Sequence, residues 1–118
     1  MQGIDVTVTI TEYLKGIKIS VSEEPVDLHN LDDGGSINWI LDGDSASSGW
    51  RFHDTAGVVI KRNSSRKFKL KGPSNSEKHF SWIRKSPDVP GSDHYNYTIT
   101  VEKSDRTASW DPSIINQP

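Results

Sequence analysis

Residues 5–11 read Asp-Val-Thr-Val-Thr-Ile-Thr and residues 95–101 read Tyr-Asn-Tyr-Thr-Ile-Thr-Val. Apolar and polar residues alternate strictly in both. Successive side chains of a strand point to opposite faces, so Val6, Val8 and Ile10 can line a core while Asp5, Thr7 and Thr9 meet water. The same period recurs in Ile37, Trp39 and Leu41, in Trp50 with Phe52, in Phe68 with Leu70, in Phe80 with Trp82, and in Tyr95, Tyr97, Ile99 and Val101. With no apolar stripe at helical spacing, little room remains for a helix longer than a turn. The pattern predicts an all-β sandwich with strands over 4–13, 17–23, 35–42, 50–54, 57–61, 66–71, 78–84 and 94–103.

Turn residues punctuate these segments at sandwich-like intervals. Lys15-Gly16 predicts a tight first hairpin, because glycine accepts positive φ without steric cost. Pro25 ends the second strand by removing a ladder donor. Longer polar loops are expected over 28–34, 42–49 and 86–93. The stretch 106–118 shows no alternation and carries two prolines. The expected organisation is therefore a sandwich domain over 1–105 and an extended tail over 106–118, packed on the domain or on a partner. Trp110 is the residue expected to anchor that tail in a groove between the sheets.

A chain of 118 residues is long enough for one domain with a sizeable core. The absence of cysteine excludes disulfides, thiolate nucleophiles and Cys-ligated metal centres. No basic stretch precedes an apolar run at the amino terminus and no window is long and apolar enough to cross a bilayer, which predicts a cytoplasmic protein without a membrane partner. Asn63-Ser64-Ser65 and Asn96-Tyr97-Thr98 match the glycosylation pattern but read as chance without an export signal. The net charge of −2 divides into −7 over residues 1–50, +8 over 51–85 and −3 over 86–118. In a sandwich such blocks become neighbours and neutralise one another; the alternative is a dipole that steers self-association or an anionic partner.

Few residues group into recognisable chemistry. His29, His53, His79 and His94 show no i, i+2 or i, i+4 pairing, so no metal or other cofactor is expected. Pro90-Gly91 ahead of Tyr95-Asn96-Tyr97-Thr98 is vaguely cupredoxin-like, but the cysteine ligand is missing. Asp42-Gly43-Asp44-Ser45-Ala46-Ser47 begins like a calcium loop and then fails at Ala46, Ser47 and His53, leaving a polar turn. Lys61, Arg62, Arg66, Lys67, Lys69 and Lys71 form a run without an acid; because Lys67, Lys69 and Lys71 alternate with Phe68 and Leu70, they read as the solvent face of an edge strand, and no nucleic-acid partner is expected. No serine sits in a nucleophile elbow and no glycine-rich loop opens a helix, so no catalytic residue is assigned. Trp50, His53 and Trp82 are the candidate ligand-binding residues, for a carbohydrate or other small molecule stacked on aromatic faces.

The ending Asp111-Pro112-Ser113-Ile114-Ile115-Asn116, after the strand Tyr97-Thr98-Ile99-Thr100-Val101, resembles the Asp-Pro-x-Ile-x-Asn close of several small bacterial sandwich proteins. It is most similar to the DP-EP family of uncharacterised proteins and more distantly to the inclusion-body protein family. Asp111-Pro112 fits the first dipeptide, and Glu24-Pro25 is a candidate for the second. The resemblance implies an immunoglobulin-like sandwich and no activity to import; together with the strand pattern, the expected fold is an immunoglobulin-like antiparallel β-sandwich of seven to eight strands with an extended C-terminal tail. The functional expectation is a non-enzymatic interaction or structural module whose partner is another protein or a second copy. Its candidate interaction residues are Trp110, Asp111, Pro112, Ile114 and Asn116, with Ile114 or Ile115 docking on the sandwich or on that second copy.

Overall fold

A computed structural model describes residues 2–61, 67–85 and 93–116. Arg62, Arg66, the Asn63-Ser64-Ser65 pattern and nearly all of the expected 86–93 loop lie outside them. In chain order the elements are β1 (Gly3–Tyr13), β2 (Gly16–Val21), β3 (Val26–Asp27), β4 (Ser36–Leu41), α1 (Gly43–Ser47), β5 (Arg51–Phe52), β6 (Val58–Ile60), β7 (Phe68–Ser74), β8 (His79–Arg84), β9 (Asp93–Lys103), β10 (Arg106–Trp110) and β11 (Ser113–Asn116). One sheet runs β2-β1-β4-β8-β7. The other runs β10-β9-β11-β3, with β5 and β6 on the remaining side of β9.

The two sheets pack face to face through the alternating positions. Val6, Val8, Ile37, Trp39 and Phe80 of the first sheet and Phe52, Val58, Tyr97, Ile99 and Val101 of the second are fully buried. Three aromatic pairs cross between the layers: Trp39 with Tyr97 at 5.0 Å, Phe68 with Tyr95 at 5.2 Å, and Phe52 with Phe80 at 6.1 Å between ring centroids. Such tilted and edge contacts contribute beyond the area they bury. Burial also holds the Tyr97 phenol in its protonated form well above the ordinary range, although the neighbouring Trp39 indole opposes this. The indole N–H and the phenol oxygen lack a well-formed hydrogen bond even so.

Both sheets are mixed, which corrects the antiparallel expectation. β1 pairs with β4 in parallel, and β11 with β3 in parallel. After β2 the chain leaves the first sheet, adds β3 to the second, and returns beside β1 in the same direction. A parallel pair needs a crossover of this kind, and local alternation carries no signal for it. Eleven strands occur among the described residues where eight were expected, the additions being β3, β10 and β11.

Three local differences have simple causes. The first hairpin turns on Leu14 and Lys15, and Gly16 pairs with Tyr13 as the closing rung without positive φ. The polar stretch after Leu41 winds into one helical turn, because the Asp42 Oδ1 accepts the Ser45 N–H at 2.9 Å as an N-cap. Leu70 keeps the register of Phe68 and pairs with Trp82, but on the edge strand β7 it is 49% exposed, and a bulge between Leu70 and Gly72 then interrupts the ladder.

Candidate interaction site

The segment expected to be an irregular tail belongs to the second sheet. β10 pairs Arg106 with Lys103 through Trp110 with Ile99, and β11 continues from Ser113 with Asn96 to Asn116 with Asp93. The register is unbroken across Asp111-Pro112, which lie opposite Thr98 and Tyr97. β10 and β11 are thus one long partner of β9, interrupted because Pro112 has no N–H to donate. The Pro112 carbonyl still accepts the Tyr97 N–H at 2.9 Å.

Side-chain hydrogen bonds fix this junction. The Thr98 hydroxyl donates to Asp111 Oδ1 at 2.6 Å, and Lys61 stands 3.6 Å from Asp111 Oδ2. The Thr98 bond, opposed by desolvation and aided by Lys61, holds the Asp111 carboxyl below the usual range. Ser113 donates its hydroxyl to Glu24 at 2.7 Å and its N–H to both Glu24 oxygens at 3.2 Å. The Glu24-Pro25 and Asp111-Pro112 dipeptides, far apart in sequence, therefore meet beside one another.

Inward positions of the tail are Ala108, Trp110, Pro112, Ile114 and Asn116. Pro112, Ile114 and Asn116 are buried, whereas Asp111 is exposed. Ile114 docks on its own chain. The Asn116 Oδ1 faces Arg84 Nη1 at 3.4 Å, and Arg84 is itself buried. Burial lowers the Arg84 pKa while Asp32 and Asp33 oppose that shift. Sequence reasoning did not single out Arg84; its only signal was an inward position two residues beyond Trp82.

Trp110 is the exception among these inward positions. It is 39% exposed, while Trp39, Trp50 and Trp82 are buried. Trp110 and Ser109 form one wall of a groove whose other wall is Ile17, Lys18, Ile19 and Ser20, with a volume of about 340 Å³. The groove lies between the layers, as expected for Trp110, but at their margin, where β2 ends one sheet and β10 ends the other.

The β2 margin is an open pairing edge. Ser22 donates to the Thr7 carbonyl at 2.9 Å, which fixes the ladder phase: Ser20 and Lys18 turn their backbone groups toward β1, and Ile17, Ile19 and Val21 turn theirs outward. No described strand pairs with β2 on that side. The other edge of this sheet, β7, carries exposed Lys69 and Lys71, a bulge and Pro73. Those are the usual devices against edge pairing, and within β2 only Lys18 is charged.

The stacking residues expected for a small ligand are placed otherwise. Trp50 is buried, its Nε1 donates to Glu12 at 3.0 Å, and Lys103 and Arg106 lie over its ring. Glu12 also binds Lys103 at 3.1 Å and Arg106 at 3.4 Å. The Lys103 hydrogen bond leads in lowering its pKa, and desolvation opposes it. Trp82 donates Nε1 to the Val58 carbonyl at 2.8 Å, tying the layers together. The His53 Nδ1 accepts the Thr55 and Ala56 N–H groups and caps a turn. These residues thus present no shared aromatic platform. A small cleft of about 110 Å³ near them is lined by Arg51, Phe52, Asp54, Glu77 and Glu102, and the Arg51–Glu102 ion pair belongs to its wall. Among the described residues no three of histidine, aspartate and glutamate converge as metal ligands, and no helix is long and apolar enough to cross a membrane.

Ion pairs join the charge blocks noted in the sequence: Glu12 with Lys103 and Arg106, Arg51 with Glu102, and Lys61 with Asp111. No family model matches the chain, and no curated protein matches it.

Proposed function

We propose that this chain is a non-enzymatic interaction module, an immunoglobulin-like sandwich of the DP-EP kind, that docks an extended protein segment at the β2–β10 margin. The observation that carries this reading is the groove itself: apolar Ile17, Ile19 and Trp110 lie beside an edge strand whose outward backbone groups can continue a ladder. The meeting of Glu24-Pro25 with Asp111-Pro112 supports the family resemblance, since both dipeptides serve one structural junction. A cytoplasmic setting belongs to the same proposal, because the core closes without any disulfide.

The test is titration with synthetic peptides of alternating apolar and polar residues. Binding at the groove shifts Trp110 emission to the blue and slows amide exchange at Ile17, Ile19 and Val21. Trp110→Phe removes the fluorescence change and identifies its source. A panel that leaves both readouts unmoved contradicts the proposal.

A further inference from the structure

We infer that the segment docked at this margin is β2 of a second copy, paired antiparallel about a two-fold axis through Ile19. This rests on the docking reading above and names its occupant. Three independent features of the strand agree with it.

The first is phase. Residues whose backbone groups point outward are Ile17, Ile19 and Val21, and a two-fold axis through Ile19 places Ile17 opposite Val21 of the second copy and Ile19 opposite Ile19. Every outward donor and acceptor then meets its counterpart in a hydrogen-bonded rung. The second is side-chain sorting. The same register sets Lys18 opposite Ser20 of the second copy and joins the inward apolar rows of the two chains into one.

Charge supplies the third feature and selects the register. Two residues beyond each end of the rungs, where Lys15 sits in the hairpin turn and Glu23 follows the strand, Lys15 comes opposite Glu23 of the second copy, twice by symmetry; both residues are exposed. An axis through Lys18 would instead oppose the two Lys18 side chains, and one through Ser20 would set Lys15 against Pro25. Among axes through the outward residues, one through Ile17 sets Lys15 against Ile19, and one through Val21 runs past the end of β2 onto Glu24, which is held by Ser113; the Ile19 axis uses the whole strand and opposes unlike charges without a like-charge clash. The resulting ten-stranded sheet covers the open margin and the partly exposed face of Trp110 from the second copy's side.

Light scattering and sedimentation of the whole chain across the micromolar range test this directly. The wild type should show twice the chain mass at high concentration. Lys15→Glu and Glu23→Lys should each weaken association by about tenfold or more, and the two changes together should restore it. Both residues are on the surface, and circular dichroism of each variant confirms that folding is unchanged. A wild type that stays monomeric overturns self-pairing, as does a dimer indifferent to both charge reversals. If self-pairing fails while alternating peptides still protect Ile17, Ile19 and Val21, the docking site stands and only its occupant is wrong; if the peptides fail too, both readings fall.

Discussion

The two edges of the five-stranded sheet are built to opposite specifications. β7 interrupts its own ladder with a bulge, places Pro73 near its end and sets Lys69 and Lys71 in solvent. β2 is regular over all six residues, and its outward rungs belong to isoleucine and valine. An exposed edge of that kind is a template for another strand. The difference teaches that protection of sheet margins in this molecule is selective, and that the unprotected margin coincides with the only exposed tryptophan.

That comparison can be broken most severely through the strand that frames the groove. β10 holds its place because β11 is anchored by Ile114, so Ile114→Ala should destabilise the fold by about 2–5 kcal/mol through cavity formation. Chemical denaturation measures it. A cost near zero would mean that the 106–116 segment is a detachable tail after all, and the groove would lose its fixed wall.

A smaller effect separates the edges themselves. Ile17→Lys introduces an inward-leaning charge on β2, as natural edges do, and should weaken docking by about tenfold, or roughly 1.4 kcal/mol. Leu70→Lys on β7 should leave association unchanged. Equal effects at both positions would erase the distinction. The Glu24 clasp is next: Glu24→Gln keeps the shape but removes the charge accepting the Ser113 hydroxyl and N–H, with an expected loss of about 1 kcal/mol or less in thermal stability at this exposed site.

The smallest effect is one of pH. Because the Asp111 pKa is lowered in the fold, its contribution is complete above the ordinary carboxylate range and is lost as pH falls through the lowered value. Thr98→Val removes the leading cause, so an NMR titration should find the Asp111 carboxyl moved upward toward its ordinary value, and the share of acid destabilisation that this carboxyl contributes should shrink. An unmoved titration would place the cause elsewhere.

Much of this architecture was legible in the residues, and the exceptions are instructive. Alternation located the strands and the buried faces of β1, β4, β8 and β9 because each pairs branched or aromatic side chains with polar ones. The closing strands were hidden by their own inward row, Ala108, Trp110, Pro112, Ile114 and Asn116, in which only two members read as strongly apolar. A proline mid-strand also argues against a ladder, and here it removes a single donor without shifting the register. β3 is two residues long and too short for any period to appear. The groove joins positions some ninety residues apart. Trp110 could be placed at a groove in advance, but Ile17 and Ile19 could not, since the strand order that makes β2 an edge is a property of the whole chain. Trp50 and Trp82 illustrate the reverse: their spacing with Phe52 and Phe80 already pointed inward, and that is where they lie.

Residue-resolved amide exchange at two protein concentrations bears most directly on the claim that β2 is the docking edge. The account predicts that Ile17, Ile19 and Val21 exchange more slowly in the concentrated sample while the amides of β7 are unchanged. Concentration-independent exchange at those three residues, or slowing at β7 in their place, would contradict it.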